Sequence, residues 1–206
     1  MRITTQMLAH SAAKSGITFQ QTTLLDILNK KSSFSGLLNG VNASADATAI
    51  AKKKNYSKLE DISGNLNGYA SCLVATDKNS IYDRAKESGS TKDIVSSAKK
   101  MVESYNATLK QLRETGDTLN EFYRQQLKDI PAGDKEALKS IGITQAKDGS
   151  LSIDEKVLQS ADADTLKKVL DGDTGLASKI SFVSQYTSNG SSLLSALETS
   201  KYDFWG

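Results

Sequence analysis

The sequence has few of the residues around which catalytic and covalent sites are built. It contains one cysteine, Cys72, one histidine, His10, and one proline, Pro131. A single cysteine excludes an intramolecular disulfide and a multi-cysteine metal site. Nucleophilic catalysis at Cys72 would need His10 as its base, far away along the chain. We therefore expect no enzymatic activity and no catalytic residue.

Charge of one sign and long apolar runs are also absent. The 26 basic and 24 acidic residues leave a formal net charge of +2, which is too small to favour nucleic acid as a partner. The run Lys52-Lys53-Lys54 is typical of a solvated helix start. No apolar stretch approaches the length of a membrane span, so we expect no membrane insertion. The first residues lack the apolar core of a secretory signal, which leaves either a cytoplasmic protein or export without a cleaved signal.

Four acidic residues are candidates for a cation site: Asp162, Asp164, Asp171 and Asp173. Their spacing is not that of a calcium loop, which combines regularly placed carboxylates with a distal glutamate. Helix N-caps account for Asp162 and Asp164. We expect neither a metal nor a cofactor.

Apolar residues recur at steps of three and four in two stretches, and aromatic residues are only 6% of the chain. This spacing predicts two amphipathic helices with aliphatic seams, over about 43–76 and 90–115, that pair as a long coiled-coil-like hairpin. The two predicted seams are Leu59, Ile62, Leu66, Tyr69 and Leu73, and then Ile94, Ala98, Met101, Tyr105, Leu109 and Leu112. Gly64 and Gly68 share a face of the first helix, where they would permit close approach of another helix.

The second half of the chain predicts smaller elements. A third helix should run from Asp117 to Pro131-Ala132-Gly133. Alternating apolar residues on either side of Asp148-Gly149 indicate a two-stranded ribbon. Asp154 and Asp162 should start short helices, and a return helix should begin at Thr174 and end at Asn189-Gly190.

These elements define a mainly α fold, a long helical hairpin or coiled-coil-like bundle with a small α+β knob that contains the ribbon. The expected division of the chain is a flexible N-terminal segment and candidate export signal over 1–42, helical coil arms over 43–130, the knob over 131–173, the return helix packing on the coil over 174–190, and a C-terminal adhesive tail over 191–206.

Both ends of the chain combine apolar clusters with polar spacers. One interpretation is the chance composition of a chain rich in leucine and serine; the other is that both ends await a partner helix. On the second interpretation the partner-binding residues are Leu24, Leu25, Leu37, Leu38, Leu193, Leu194, Phe204 and Trp205.

Several motifs occur in a recognisable order: Val102-Glu103-Ser104-Tyr105-Asn106-Ala107-Thr108-Leu109, Ile141-Gly142-Ile143-Thr144, Asp148-Gly149-Ser150-Leu151-Ser152-Ile153-Asp154 and Gly175-Leu176-Ala177. Together they resemble the C-terminal helical part of the bacterial flagellar filament-cap family, also called hook-associated protein 2. The first residues, Met1-Arg2-Ile3-Thr4, resemble those of short flagellar axial proteins. Cap proteins usually carry β-rich domains between their coil arms, and this chain has only residues 77–89 at that place.

The resemblance implies a helical domain exported by an uncleaved N-terminal signal, with flagellar axial proteins or further copies of itself as partners. The expected function is that of a structural interaction protein that acts by helix–helix association outside the cell, on the flagellum or the cell surface. The alternative is a cytoplasmic helical adaptor or export chaperone that binds partner helices.

Overall fold

The computed structural model describes residues 45–74, 80–171 and 175–200, with side chains described over 50–74, 80–171 and 175–195. Within these ranges the chain forms eight helices and two strands. In chain order they are α1 (Ala45–Cys72), α2 (Ile81–Ser88), α3 (Lys92–Thr115), α4 (Thr118–Gly133), α5 (Lys135–Ser140), β1 (Ile143–Gln145), β2 (Leu151–Ile153), α6 (Glu155–Ser160), α7 (Ala163–Leu170) and α8 (Leu176–Ser200). The fold is mainly α with a small ribbon, as the sequence predicts.

Three long helices, α1, α3 and α8, form the body of the bundle. The predicted seam of α3 is confirmed, since every member from Ile94 to Leu112 is buried. The α3 seam packs against α1, and α1 makes its most extensive contact with α8. The predicted pair of α1 and α3 is therefore part of a three-helix body, in which the return helix α8 is the larger partner of α1.

The seam of α1 differs from the predicted one at two positions. Ser63 and Ala70 are fully buried, whereas Ile62 and Tyr69 are only half-buried. Together with Leu59, Leu66 and Leu73, the two small residues keep the steps of four and three that a helix seam requires. Small side chains occupy these positions because they let a neighbouring helix approach closely.

The helix α8 lies antiparallel to α1. The hydroxyls of Ser57 and Ser195 are 3.0 Å apart at one end of the pair, and those of Ser71 and Ser181 are 3.0 Å apart further along. Between them, a Cβ placed on Gly64 would lie 3.6 Å from Ser188 Oγ, whereas one on Gly68 would meet nothing within 4 Å. The close approach expected at the two glycines therefore occurs at Gly64 alone.

The helix α8 is longer than predicted. It continues through Asn189 and Gly190 to Ser200, so the expected helix end at Asn189-Gly190 is wrong, and residues 191–200 of the expected adhesive tail belong to the helix. Contacts with α1 override the local preference for a break, because Thr187 and Ser191 are buried against the bundle. The predicted start at Thr174 lies outside the described residues.

The third helix, α4, is as predicted and flanks α3 and α8. Asp117 caps it by accepting a hydrogen bond from Asn120 N at 2.8 Å, and Pro131 lies in its last turn. Gly116 ends α3 with a φ of 67°, a conformation that glycine adopts without strain. At the far end of α4, Lys179 Nζ of α8 lies 2.9 Å from Asp134 Oδ2, which aligns α4 antiparallel to α8.

The ribbon also forms where the sequence predicts it. Ile143 pairs with Ile153, and Gln145 with Leu151, in an antiparallel register closed by Gly149 at a φ of 95°. Short helices on either side bury Leu138, Leu158, Leu166 and Leu170. Asp154 and Asp162 cap α6 and α7, as expected.

Two consecutive residues of α3 hold the ribbon on the bundle. Tyr105 donates its hydroxyl hydrogen bond to Leu127 O at 2.9 Å, with Gly149 O at 3.2 Å. The Asn106 amide donates to Leu151 O and accepts from Leu151 N, both at 2.8 Å. Asn106 therefore satisfies the outer edge of β2 as a neighbouring strand would.

Candidate interaction surface

Among the residues that the structure describes, α1 and α8 extend past α3 and α4 at one end of the bundle. Gln111 Nε2 of α3 donates to Asn55 O at 3.4 Å, and Glu114 lies 3.9 Å from Lys58 Nζ, so the last turn of α3 is level with residues 55–58. Residues 45–54 of α1 therefore extend about 15 Å past the connection between α3 and α4. Ser57 lies beside Ser195, so residues 192–195 of α8 are level with the last turn of α3. We call the end of the bundle from this level outwards, residues 45–58 of α1 with residues 192–200 of α8, the bundle end.

A cluster of polar side chains lies at the level where α3 ends and α4 begins. Tyr56 donates its hydroxyl hydrogen bond to Asp117 Oδ2 at 2.9 Å. The same carboxylate accepts from Asn120 Nδ2 at 2.7 Å, and Asn120 is buried. These bonds join α1 to the connection between α3 and α4, so the position of the bundle end relative to the body is fixed.

The bundle end carries exposed apolar side chains. Among the described side chains, the large hydrophobic residues that are exposed are Ile50 at 60%, Leu193 at 62% and Val157 at 37%. Ile50 and Leu193 belong to the bundle end, whereas Val157 lies on α6. Isolated exposed apolar residues are common on protein surfaces, so it is their placement on two paired helices that is informative.

The exposure of Leu193 has a structural cause. Phe182, Tyr186 and Gly190 follow one another on the face of α8 that is turned towards α4, and the ring centroids of Phe182 and Tyr186 are 4.8 Å apart. A Cβ on Gly190 would lie 3.7 Å from Tyr123 Oη of α4. Leu193 lies about one turn further along this face of α8. Because α4 begins at Thr118, only the first turn of α4 lies opposite Leu193.

The predicted partner-binding residues fall into two groups. Leu193 is exposed on the bundle end and Leu194 is half-buried beside it. The other predicted residues, Leu24, Leu25, Leu37, Leu38, Phe204 and Trp205, lie outside the described residues.

Ile50 was not predicted as part of this surface. It lies seven residues before Ser57, and Ser57 and Gly64 both contact α8. Extending the seven-residue spacing towards the start of α1 would have placed Ile50 on that edge of the helix. A single isoleucine among alanines and lysines gives no stronger signal.

The candidate chemical groups have structural roles. Asp162 accepts from Thr165 N at 2.9 Å, and these hydrogen bonds hold the pKa of its carboxyl below the usual value. Asp164 pairs with Lys86, and Cys72 is exposed near the end of α1. His10 and Asp173 lie outside the described residues. Across the described part of the chain, no three His, Cys, Asp or Glu side chains converge as metal ligands would.

Burial affects the tyrosines of the body. It raises the pKa of Tyr105 and of Tyr82 well above the ordinary range, and it raises the pKa of Tyr123 to about 12. These phenols stay protonated at neutral pH, and those of Tyr82 and Tyr105 donate hydrogen bonds to Leu73 O and Leu127 O. In the described ranges, none of the helices has the length and apolarity that a membrane span needs.

The described residues form a helical bundle with a small ribbon, and Ile50 and Leu193 are exposed at one end of it. Such a fold does not by itself define a function. Comparisons with protein-family models, with curated proteins and with solved structures gave no match. A functional assignment therefore depends on the residues and their geometry.

Proposed function

We propose that this chain is a structural interaction protein, related to the bacterial flagellar filament cap, that acts outside the cell by helix–helix association. Its partners are flagellar axial proteins or further copies of the chain, and it has no catalytic role. The observation that carries the proposal is the bundle end, where Ile50 is exposed on the part of α1 that extends past α3 and Leu193 is exposed on α8 at the level of the last turn of α3.

The position of the chain ends supports the same proposal. Because α1 and α8 are antiparallel, the segments that precede Ala45 and follow Ser200 both leave the helices at the bundle end. These segments contain the apolar clusters at Leu24-Leu25, Leu37-Leu38 and Phe204-Trp205. The two segments that contain these predicted partner-binding residues are therefore joined to the helices at the same end of the bundle.

The resemblance to the cap family gains support from contacts between its motifs. Tyr105 and Asn106 belong to the first motif, and their hydrogen-bond partners Gly149 and Leu151 belong to the third. Two motifs that are distant in sequence thus form one structural unit. A chance similarity of separate stretches would not require them to touch.

A partner that fits the bundle end is an amphipathic helix with an aliphatic stripe. Burying Ile50 and Leu193 against such a helix would contribute roughly 1.5–3 kcal/mol per side chain. Lys52-Lys53-Lys54 next to Ile50 would favour a partner with acidic residues beside its stripe.

Single substitutions test the surface. We expect Ile50→Asp and Leu193→Asp to weaken self-association or co-sedimentation with sheared flagellar filaments at least tenfold, because each places a charge in the apolar contact. Both side chains are exposed, so the free energy of unfolding should change by no more than about 0.5 kcal/mol. Val157→Asp is the matched control, since it makes the same kind of change on α6. Equal effects of all three variants would contradict the assignment of the surface.

The location of the protein tests the remainder of the proposal. Immunoblotting of culture supernatant and sheared filaments against cell lysate should find the protein outside the cell. Confinement to the lysate would favour the cytoplasmic adaptor or export chaperone instead.

A further inference from the structure

We infer that α8 contains a hinge at residues 187–192, about which its distal part, residues 193–200, leaves α1 while the rest of the bundle stays folded. The inference concerns the isolated chain and goes beyond the proposed function.

The first observation is a conflict between local sequence and observed structure. The segment Thr187-Ser188-Asn189-Gly190-Ser191-Ser192 consists entirely of residues with poor helix propensity, yet it lies inside a continuous helix. Its Asn-Gly pair is typical of a helix end. Natural sequences usually agree with their structure locally, and the exceptions tend to be functional.

The second observation is a change in how α8 is held. Leu176, Ile180 and Val183 are buried in the core, but among the described side chains Val183 is the last fully buried apolar residue of the helix. The buried residues that follow are Ser184, Thr187 and Ser191, whose hydroxyls donate to carbonyls of α8 itself at 2.8–3.1 Å. Bonds within one helix do not attach it to its neighbour.

The third observation is the nature of the contacts that remain between the distal part and α1. They include the pair of hydroxyls at Ser57 and Ser195, and in the hinge itself Ser188 Oγ donates to Glu60 O at 3.2 Å. Partly buried hydroxyl contacts of this kind exchange readily with water and contribute little net free energy. Of the two described leucines of the distal part, Leu193 is 62% exposed and Leu194 is half-buried, so neither is fully buried against α1.

These observations together give α8 two parts of unequal stability. The part up to Val183 is fixed in the core, and the part after Ser192 follows a glycine-containing segment and has no fully buried residue among its described side chains, 193–195. Isolated helices of this length are marginal in water, so opening at the hinge is the lowest-energy local motion that the described contacts allow. If the proposed function holds, opening would also expose the α1 seam and Leu194 to a partner helix.

Hydrogen exchange of the full chain tests the hinge. We expect the amides of residues 188–195 to exchange much faster than those of residues 177–184. Gly190→Ala should slow exchange of residues 188–195 about fivefold, because alanine favours the helix and its Cβ would make ordinary contacts at 3.7–3.8 Å with Tyr123. Gly68→Ala is the matched control in α1, where a Cβ meets nothing within 4 Å, and it should leave those rates unchanged.

A pair of crosslinks gives a second, independent readout. The hydroxyl distances make Ser57→Cys with Ser195→Cys, and Ser71→Cys with Ser181→Cys, suitable disulfide pairs in a Cys72→Ser background. The first disulfide lies beyond the hinge and should slow exchange of residues 188–195, whereas the second lies before it and should not.

Two results would overturn the hinge: equal protection of both parts of α8 in the unmodified chain, or equal slowing by the two disulfides. Either would show α8 to be one rigid element. Because exchange is measured on the isolated chain, this outcome is separate from success or failure of the association experiments.

Discussion

At the scale of single residues, a few polar side chains fix the geometry of the molecule. Asn106 is the clearest example, since its amide replaces a missing strand beside Leu151 and so anchors the ribbon to α3. The sequence places Asn106 in a motif but gives no indication of this role. Predicting it would require knowing that the ribbon folds back onto α3, which is a property of the tertiary structure.

Asn106→Ala should destabilise the chain by about 1–3 kcal/mol, because it leaves both backbone groups of Leu151 without a partner. Asn106→Asp keeps the acceptor for Leu151 N but turns a carboxylate oxygen towards Leu151 O, so it should also destabilise the chain. Urea unfolding followed by circular dichroism measures both. Gln125→Ala, on the exposed face of α4, is the control and should change stability by no more than about 0.5 kcal/mol. A loss no larger than that of the control would show that Asn106 does not anchor the ribbon.

The buried tyrosines make stability depend on alkaline pH. The folded-state pKa of Tyr123, about 12, lies above the unfolded value of 10.0, so the folded chain retains a proton that the unfolded chain loses in this range. The stabilisation is fully present below pH 10 and is lost as the pH rises towards 12, at about 1.4 kcal/mol per pH unit.

Tyr123→Phe should reduce the steepness of this alkaline decline, measured by urea unfolding at a series of pH values. Tyr82 and Tyr105 act in the same direction, so part of the decline should remain. An unchanged slope in the variant would contradict the burial of the Tyr123 hydroxyl.

At the scale of helices and strands, the apolar pattern predicts which segments form helices better than it predicts their faces and ends. The seam of α3 could be predicted because large apolar residues mark every position. In α1 the seam passes through Ser63 and Ala70, which a hydrophobic pattern does not distinguish from surface residues. The extension of α8 past Gly190 could not be predicted, since it depends on α1 lying alongside.

The corrected seam of α1 can be tested with two aliphatic truncations. Leu66→Ala should cost about 2–5 kcal/mol because Leu66 is fully buried. Ile62→Ala, at a half-buried position one turn earlier, should cost less than half as much. Thermal or urea unfolding of the two variants decides between the predicted and the observed seam. Equal losses of stability would indicate that Ile62 is buried in the core.

At the scale of the whole molecule, the proposed function assigns folding to the body and association to the bundle end. The body could be predicted as a helical bundle with a ribbon from periodicity and turn residues. The bundle end could be predicted only in part: Leu193 was named from its apolar cluster, while Ile50 became relevant once α1 was seen to extend past α3. Such a surface depends on the relative levels of three helices, and no local pattern records those levels.

The most direct test of this separation is a chain shortened to residues 45–190, compared with the full chain in unfolding and association measurements. It keeps the buried apolar residues of α1, α3 and α8 but loses Leu193 and the segments beyond both helix ends. We expect the shortened chain to melt cooperatively and to retain its helicity. We also expect that it no longer associates with filaments or with itself. Loss of cooperative melting, or association as strong as that of the full chain, would contradict this separation.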